Sequence, residues 1–262
     1  MKRCVVCGLP ETHETILFDE RGVCNICHNQ QYRHTQIDWS EQKKQLDDLI
    51  AKYRGQNDYD CMIPYSGGKD STWTLYYLIK EYGIKPLVVR FDHGFLRPKV
   101  EENTKRTMRR LGVDMLSFTP NWKTVQKLML QSFLEKGDFC WHCHTGIFSY
   151  PMWVALEKKI PLIFWGEPSA EYTAYFSYEQ SEEVDEKRFN RYVNLGMDAN
   201  DMYIRLGSNL DFRDFKPYSY PPLRELRNLN YRSVCLGSYI PWDTKRQSEV
   251  IQCELGWEGD QV

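Results

Sequence analysis

A doubly wound α/β fold with a parallel sheet, carrying a small N-terminal metal module, is what this sequence of 262 residues predicts. Three observations predict it. Short apolar runs suited to buried strands alternate with longer stretches of helical periodicity. The first such run, Tyr59-Asp60-Cys61-Met62-Ile63, enters a glycine-rich turn, Pro64-Tyr65-Ser66-Gly67-Gly68, which leads into a helical stretch from Lys69. Ahead of both stand two Cys-x-x-Cys knuckles, Cys4/Cys7 and Cys24/Cys27.

The knuckles come first in the chain. Sixteen residues separate them, a spacing that can bring four thiolates around one Zn²⁺ ion. Gly8 and Gly22-Val23 supply turns beside them. A module this short, residues 1–36, cannot fold on its own core, so metal binding would provide its folding energy. His13 and His28 are expected at the surface or behind the ligands, since four Cys complete a site. Residues 37–57 read as a linker helix opened by the capping-box-like Asp38-Trp39-Ser40-Glu41, and residues 58–262 as the main domain.

The turn at Ser66–Ser71 is the centre of the main domain. A strand, a Gly-rich turn and a helix start point backbone N–H groups and the positive end of a helix dipole at one spot, which makes an anion site. Adjacent glycines let the backbone approach a phosphate without an intervening Cβ. Ser66 and Ser71 add hydroxyls, and Lys69 adds a mobile charge. Gly83 closes the following helix, and Lys85–Phe91 is the second strand, ending in Asp92-His93-Gly94-Phe95. Ligands of such sheets bind beyond the carboxyl ends of strands, which places Asp92 and His93 near the same anion. A helix from Lys99 to Leu111, a strand over 113–118 and a helix from Asn121 to Lys136 follow.

Asp138-Phe139-Cys140-Trp141-His142-Cys143-His144 is a further Cys-x-x-Cys, placed on a loop before a helix expected from Ile147. Cys140 and Cys143 could form a second metal site with a remote Cys235, act as a reactive thiol pair at a helix start, or simply pack. Strand 160–165 ends in Gly166-Glu167, and Glu167 is expected to face the crevice as a catalytic residue. Residues 170–215 read as an acidic, Tyr- and Asn-rich insertion covering the site. Leu223–Leu229 is a short helix, a last strand starts at Ser233, and Asp243 caps a final helix.

Composition sets bounds. Net charge is −2, so no global attraction to nucleic acid is evident. No apolar run reaches membrane-spanning length, and Met1-Lys2-Arg3-Cys4 lacks a signal-peptide core, which points to the cytoplasm. Nine Cys in such a chain argue for metal or catalysis rather than disulfides.

Ser66-Gly67-Gly68-Lys69-Asp70-Ser71 resembles the signature of the PP-loop ATP pyrophosphatases, which cleave ATP between the α and β phosphates and transfer AMP to a substrate oxygen. That resemblance implies ATP as cosubstrate, Ser66, Gly67, Gly68, Lys69 and Ser71 on the phosphates, and Asp70 on Mg²⁺. The zinc module, Phe-Asp-His-Gly-Phe (91–95), Cys-x-x-Cys-His-x-Gly-Ile (140–147), Trp-Gly-Glu (165–167) and Tyr-Ile-Pro-Trp-Asp (239–243) extend it. In this order they resemble the N-acetyl sugar amidotransferases of bacterial surface-polysaccharide biosynthesis. The resemblance implies conversion of a sugar acetamido group to an acetamidino group: ATP adenylates the carbonyl oxygen, and ammonia displaces AMP. It also implies a nucleotide-activated N-acetyl sugar as substrate, and a glutaminase and a cyclase-like subunit as ammonia-supplying partners. Chains of that family run further, so a C-terminal stretch is expected to be missing, and Cys235 stands where they carry an aromatic or aliphatic residue. The rival expectation is a tRNA 2-thiolation enzyme with an iron–sulfur cluster on Cys140, Cys143 and Cys235. The near-neutral charge speaks against it.

Overall fold

A computed structural model describes residues 1–12, 16–166, 194, 196–207 and 210–259. The chain divides into two compact units. One comprises Met1–Lys52, Gly166–Glu183 and Val234–Trp242; the other comprises Tyr53–Trp165, Val184–Ser233 and Asp243–Val262.

In the first unit, antiparallel bridges Arg3↔Pro10 and Phe18↔Cys24 frame the cysteine knuckles. Gly8 and Gly22 take the left-handed conformation, with φ of 74° and 79°, at the turns the sequence places there. Helix α1 (Asn25–Thr35) follows Cys24 directly and has no buried residue. The sequence pattern did not reveal it, because a helix without an apolar face has no periodicity to read. Helix α2 (Trp39–Tyr53) begins where the capping signal predicts. The Asp38 carboxylate accepts from the Ser40 and Glu41 amides at 2.9 and 3.2 Å.

A five-stranded sheet runs in the order β3-β2-β1-β4-β5. Its strands are β1 (Cys61–Pro64), β2 (Pro86–Phe91), β3 (Asp114–Phe118), β4 (Leu162–Trp165) and β5 (Arg232–Cys235). β1 pairs in parallel with β2 and β4, and β2 in parallel with β3. β1 and β2 are buried throughout, the burial expected of a central parallel strand covered on both faces. The doubly wound parallel fold is therefore the one observed.

Helices α3 (Lys69–Tyr82), α4 (Pro98–Leu111) and α5 (Trp122–Lys136) each end on a left-handed glycine, Gly83, Gly112 and Gly137. Helix α6 (Trp141–Lys158) crosses β2, and Gly146 is what lets it do so. A Cβ there would lie 2.3 Å from the Phe91 ring. α6 starts six residues before the Ile147 expected from sequence, so Cys143 and His144 are helical rather than in a loop. Glycine, Cys and His in those turns mask the helical signal.

Helix α7 (Ala199–Leu206) opens with an Asp198–Asp201 capping box and buries Ala199 and Met202 against Phe91, Leu128 and Trp141. The turn Phe212–Tyr218 buries Phe215 and Tyr218 in the same core. The end of the expected insertion, 196–215, is thus core-forming where it is described. Helices α8 (Leu223–Asn228) and α9 (Thr244–Leu255) complete the unit, with α9 capped by Asp243 through the Lys245 and Arg246 amides. No helix among the described residues is long and apolar enough to cross a membrane.

Candidate active site and metal centre

The loop between β1 and α3 is fixed from below before it offers anything above. The Tyr65 amide donates to the Val89 carbonyl at 2.9 Å, and the buried Tyr65 hydroxyl lies 3.0 Å from Thr72 Oγ1. Gly67 then turns the chain with φ of 83°. A Cβ at Gly67 would sit 2.6 Å from Val100 Cγ1 and 2.9 Å from Thr104 Oγ1, so only glycine lets α4 close against the loop. Ser66 Oγ lies 3.2 Å from Ser71 Oγ and accepts from the Gly68 amide at 3.3 Å. The first helical bond of α3 runs from the Thr72 amide to the Gly68 carbonyl at 3.1 Å. The amides of Lys69, Asp70 and Ser71 therefore precede any intrahelical acceptor and form the positive end of the helix.

Lys69 Nζ lies 2.7 and 2.6 Å from the two carboxylate oxygens of Asp70. Both side chains are partly exposed. The six predicted loop residues, Ser66 to Ser71, are thus gathered in one surface with donors, one cation and one carboxylate. That set fits a polyphosphate with a divalent ion: amides and Lys69 for phosphate oxygens, Asp70 for the metal.

Because β2 is parallel to β1 and adjacent to it, Asp92 and His93 leave the sheet at the same edge as the loop. Asp92 Oδ1 accepts from the Gly94 amide at 2.9 Å, and Oδ2 accepts from the Thr119 hydroxyl at 3.2 Å. His93 Nδ1 accepts from the Phe95 amide at 3.2 Å. Burial pushes the His93 pKa below its ordinary 6.5, with Arg90 and His144 acting the same way and Asp92 opposing them. Gly94, with φ of 87°, packs so close to the Trp122 ring that a Cβ would lie 2.4 Å from it. Phe95 is the hub of an aromatic group: its ring centroid is 5.9 Å from His93, 6.2 Å from Trp122, 6.3 Å from Phe139 and 5.8 Å from His142. Phe95, Trp122 and Phe139 are exposed. The sequence places Phe95 in the Phe91–Phe95 motif, but gives no role to Trp122 or Phe139, which only the fold brings to its ring.

Helix α6 joins this edge through His142, whose Nε2 lies 3.2 Å from the His93 carbonyl oxygen. His142 is fully buried. The structure thereby brings the Cys140-x-x-Cys143 pair beside the Asp92–His93 turn. The helix start does not make its thiols acidic, as the sequence suggested. Burial, aided by the Cys140 and Asp138 charges, pushes the Cys143 pKa up to about 12, and burial with Asp138 also raises that of Cys140. Cys235 is buried at the end of β5. Glu167, and residues 170–193 of the expected insertion, lie outside the described residues.

The four N-terminal cysteines are assembled as expected. Their Sγ atoms all lie within 4.8 Å of one another, with Cys4–Cys27 at 3.8 Å and Cys7–Cys24 at 3.6 Å. A tetrahedral ion with metal–sulfur bonds of about 2.3 Å needs sulfurs about 3.8 Å apart, so the set fits zinc. Cys4 Sγ accepts from the Val6 and Cys24 amides at 3.4 and 3.3 Å, bonds that stabilise a thiolate. Against its burial, hydrogen bonds from the Cys7, Cys24 and Val6 backbone draw its pKa down to about 6. His28 is no ligand of this set: its Nε2 lies 3.1 Å from Asp19 Oδ2. His13 lies outside the described residues. Among the described residues, this is the one group of three or more His, Cys, Asp or Glu side chains arranged to hold a metal.

No protein-family model matches the chain. An uncharacterized protein of Methanocaldococcus jannaschii is 22% identical over 116 residues, which is 44% of this chain and 41% of that protein. The chain therefore spans about two fifths of the curated relative it matches. Among solved structures, the U34-tRNA thiolase NcsA of Methanococcus maripaludis, determined with its 4Fe-4S cluster, superposes with a TM-score of 0.36 at 16% identity. That superposition covers 97% of this chain and 82% of the thiolase. A predicted subunit of a tRNA methyltransferase from Methanocaldococcus jannaschii gives a TM-score of 0.32 at 17% identity, over 75% and 87% of the two chains. Overlaps this low carry no inference about function.

Proposed function

We propose that the chain is an ATP-using enzyme that adenylates the carbonyl oxygen of an amide-type acceptor, releasing diphosphate, so that a nucleophile can displace AMP. The observation that carries this reading is the Ser66–Ser71 loop: a glycine-enabled turn at the carboxyl end of a central parallel strand, with Lys69, Asp70 and three free helix amides on one surface.

The chemistry needs such a site. An amide carbonyl is a poor electrophile and oxide a poor leaving group. Attack of the carbonyl oxygen on the α-phosphorus forms an O–P bond and breaks the α–β bridge, leaving an O-adenylated imidate. The loop amides, Lys69 and the serine hydroxyls would hold the departing diphosphate, where negative charge builds up. Asp70 would place Mg²⁺, which supplies charge neutralisation on those phosphates when bound. Asp92, held by Thr119 and Gly94, would orient the nucleotide or the acceptor beside it.

For the acceptor we propose a sugar acetamido group, with ammonia as nucleophile and an amidine as product. A near-neutral chain and the exposed rings of Phe95, Trp122 and Phe139, grouped beside the Asp92–His93 turn, suit a sugar ring. One observation favours a second reading, tRNA 2-thiolation: Cys140 and Cys143 stand on the first turn of α6, joined through His142 to the His93 turn. Uridine C2 is also an amide-type carbonyl, so the adenylation step is shared and only the nucleophile differs. Both structural neighbours are named for tRNA chemistry, at overlaps too low to add weight.

Anaerobic purification with metal and sulfide analysis separates the two. One zinc per chain without iron supports the sugar reading. Iron and sulfide lost on Cys140→Ser or Cys143→Ser replace it with the thiolation reading. In the first case, the enzyme with ATP, ammonium and a nucleotide-linked N-acetyl sugar is expected to convert the acetamide oxygen to nitrogen, visible by mass spectrometry.

A further inference from the structure

The segment after α9 reaches back to the phosphate loop. Gly256 ends α9 in the left-handed conformation, its amide bonding the Gln252 carbonyl, and redirects the chain. The next residue, Trp257, donates its indole Nε1–H to the Gly67 carbonyl at 3.2 Å. Glu258 is then gripped by α4 at four points. Buried Asn103 gives Nδ2–H to the Glu258 carbonyl at 2.8 Å and accepts the Glu258 amide at 3.0 Å. The Glu258 carboxylate pairs with Lys99 and Arg106, both at 3.0 Å. The same helix supplies Val100 and Thr104, the wall against which Gly67 packs.

We infer that Trp257 is a positioning residue for the phosphate loop, and that Gly256–Gly259 is a strut setting the orientation of the Gly67–Gly68 peptide. This rests on the reading of Ser66–Ser71 as a phosphate site. A trans peptide is planar, with its C=O and N–H pointing in opposite directions. Anchoring the Gly67 carbonyl on Trp257 therefore aims the Gly68 N–H the other way, to the side where Ser66 Oγ accepts it. A peptide between two glycines has the lowest barrier to flipping in the chain, because neither Cβ restricts it. Flipped, it would present a carbonyl oxygen to phosphate in place of an amide, reversing its sign. The indole bond holds the anion-binding orientation in advance, so the ligand need not select it.

The test uses the full chain, Mg²⁺ and ATP. Trp257→Phe keeps an aromatic ring and removes the donor. Expected are faster amide exchange at residues 66–69 and ATP affinity weakened by about threefold to tenfold, the value of one such bond, while the thermal midpoint stays close to wild type. Tyr59→Phe is the control. It removes a 3.0 Å bond to Asp114 at the opposite end of the sheet and should leave loop exchange unchanged. Unchanged loop exchange in Trp257→Phe overturns the inference, as does an equal rise in Tyr59→Phe. A wild-type chain that binds no ATP overturns the phosphate reading instead, and loop exchange still decides on the strut. Should Trp257→Phe fail to fold, Glu258→Gln, which weakens the two ion pairs behind the indole, decides by the same readouts.

Discussion

Three residues carry the account at the residue scale, and each is separately testable. Gly67 has φ of 83° and no room for a methyl group between the loop and Val100. Gly67→Ala is expected to cost about 2–4 kcal/mol, from the left-handed backbone and the overpacking together. Urea unfolding measures it; a cost under about 0.5 kcal/mol, the range of an ordinary surface change, would remove the reason given for glycine there. Lys69→Ala is expected to abolish nucleotide turnover while the midpoint of unfolding hardly moves, since its ion pair with Asp70 is partly exposed. Residual turnover within tenfold of wild type would refute its role. His93 is neutral in the folded chain at pH 7, with a pKa held below 6.5 by burial. As pH falls below the unfolded value the unfolded chain binds the proton first, so stability declines on acidification. His93→Gln should flatten that decline between pH 7 and 5.5, read as the difference in thermal midpoints. Ser66 to Ser71 were legible as a string, because the loop's chemistry is local in sequence. Trp257 was not, because its acceptor, Gly67, is 190 positions away and only the packing of α9 on α3 brings them together.

At the scale of elements, the strands and their order of helices were readable because buried parallel strands are continuous apolar runs and left-handed glycines mark three helix ends. Three were not: α7, which lies in the stretch read as an insertion, α1 and α6. Helix α1 has no apolar face, and its sequence gives only the Cys24-x-x-Cys27 knuckle. Its first turn is tied to the cysteine site, where Ile26 and Cys27 pack against Cys4, Ile16 and Cys24. Stripping metal with a chelator is expected to open Met1–Thr35 to proteolysis while leaving the sheet unit folded; protection unchanged after complete metal loss would contradict that. Helix α6 hid its first turns behind Cys, His and Gly146, yet Gly146 is where it touches Phe91. Gly146→Ala is expected to destabilise the sheet unit by about 1–3 kcal/mol through overpacking, again read by urea unfolding. The reactive thiol pair, one of the three readings open for Cys140 and Cys143, loses support for an energetic reason: burial and the Asp138 charge both raise their pKa values.

For the whole molecule, the parallel sheet gathers at one edge what the sequence scatters: the loop after β1, the Asp92–His93 turn after β2, and the start of α6 tied to it through His142. Fold class and the strand–turn–helix geometry of Ser66–Ser71 were readable from the sequence, while the acceptor was not, since a sugar amide and a uridine would offer the same kind of carbonyl. The claim common to both is cleavage of ATP between its α and β phosphates. The direct measurement is nucleotide analysis after incubating the full chain with ATP and Mg²⁺, using each acceptor class with its nucleophile. The account predicts AMP and diphosphate in equal amounts, with both lost in Lys69→Ala. ADP and phosphate, or intact ATP with every acceptor, would contradict it.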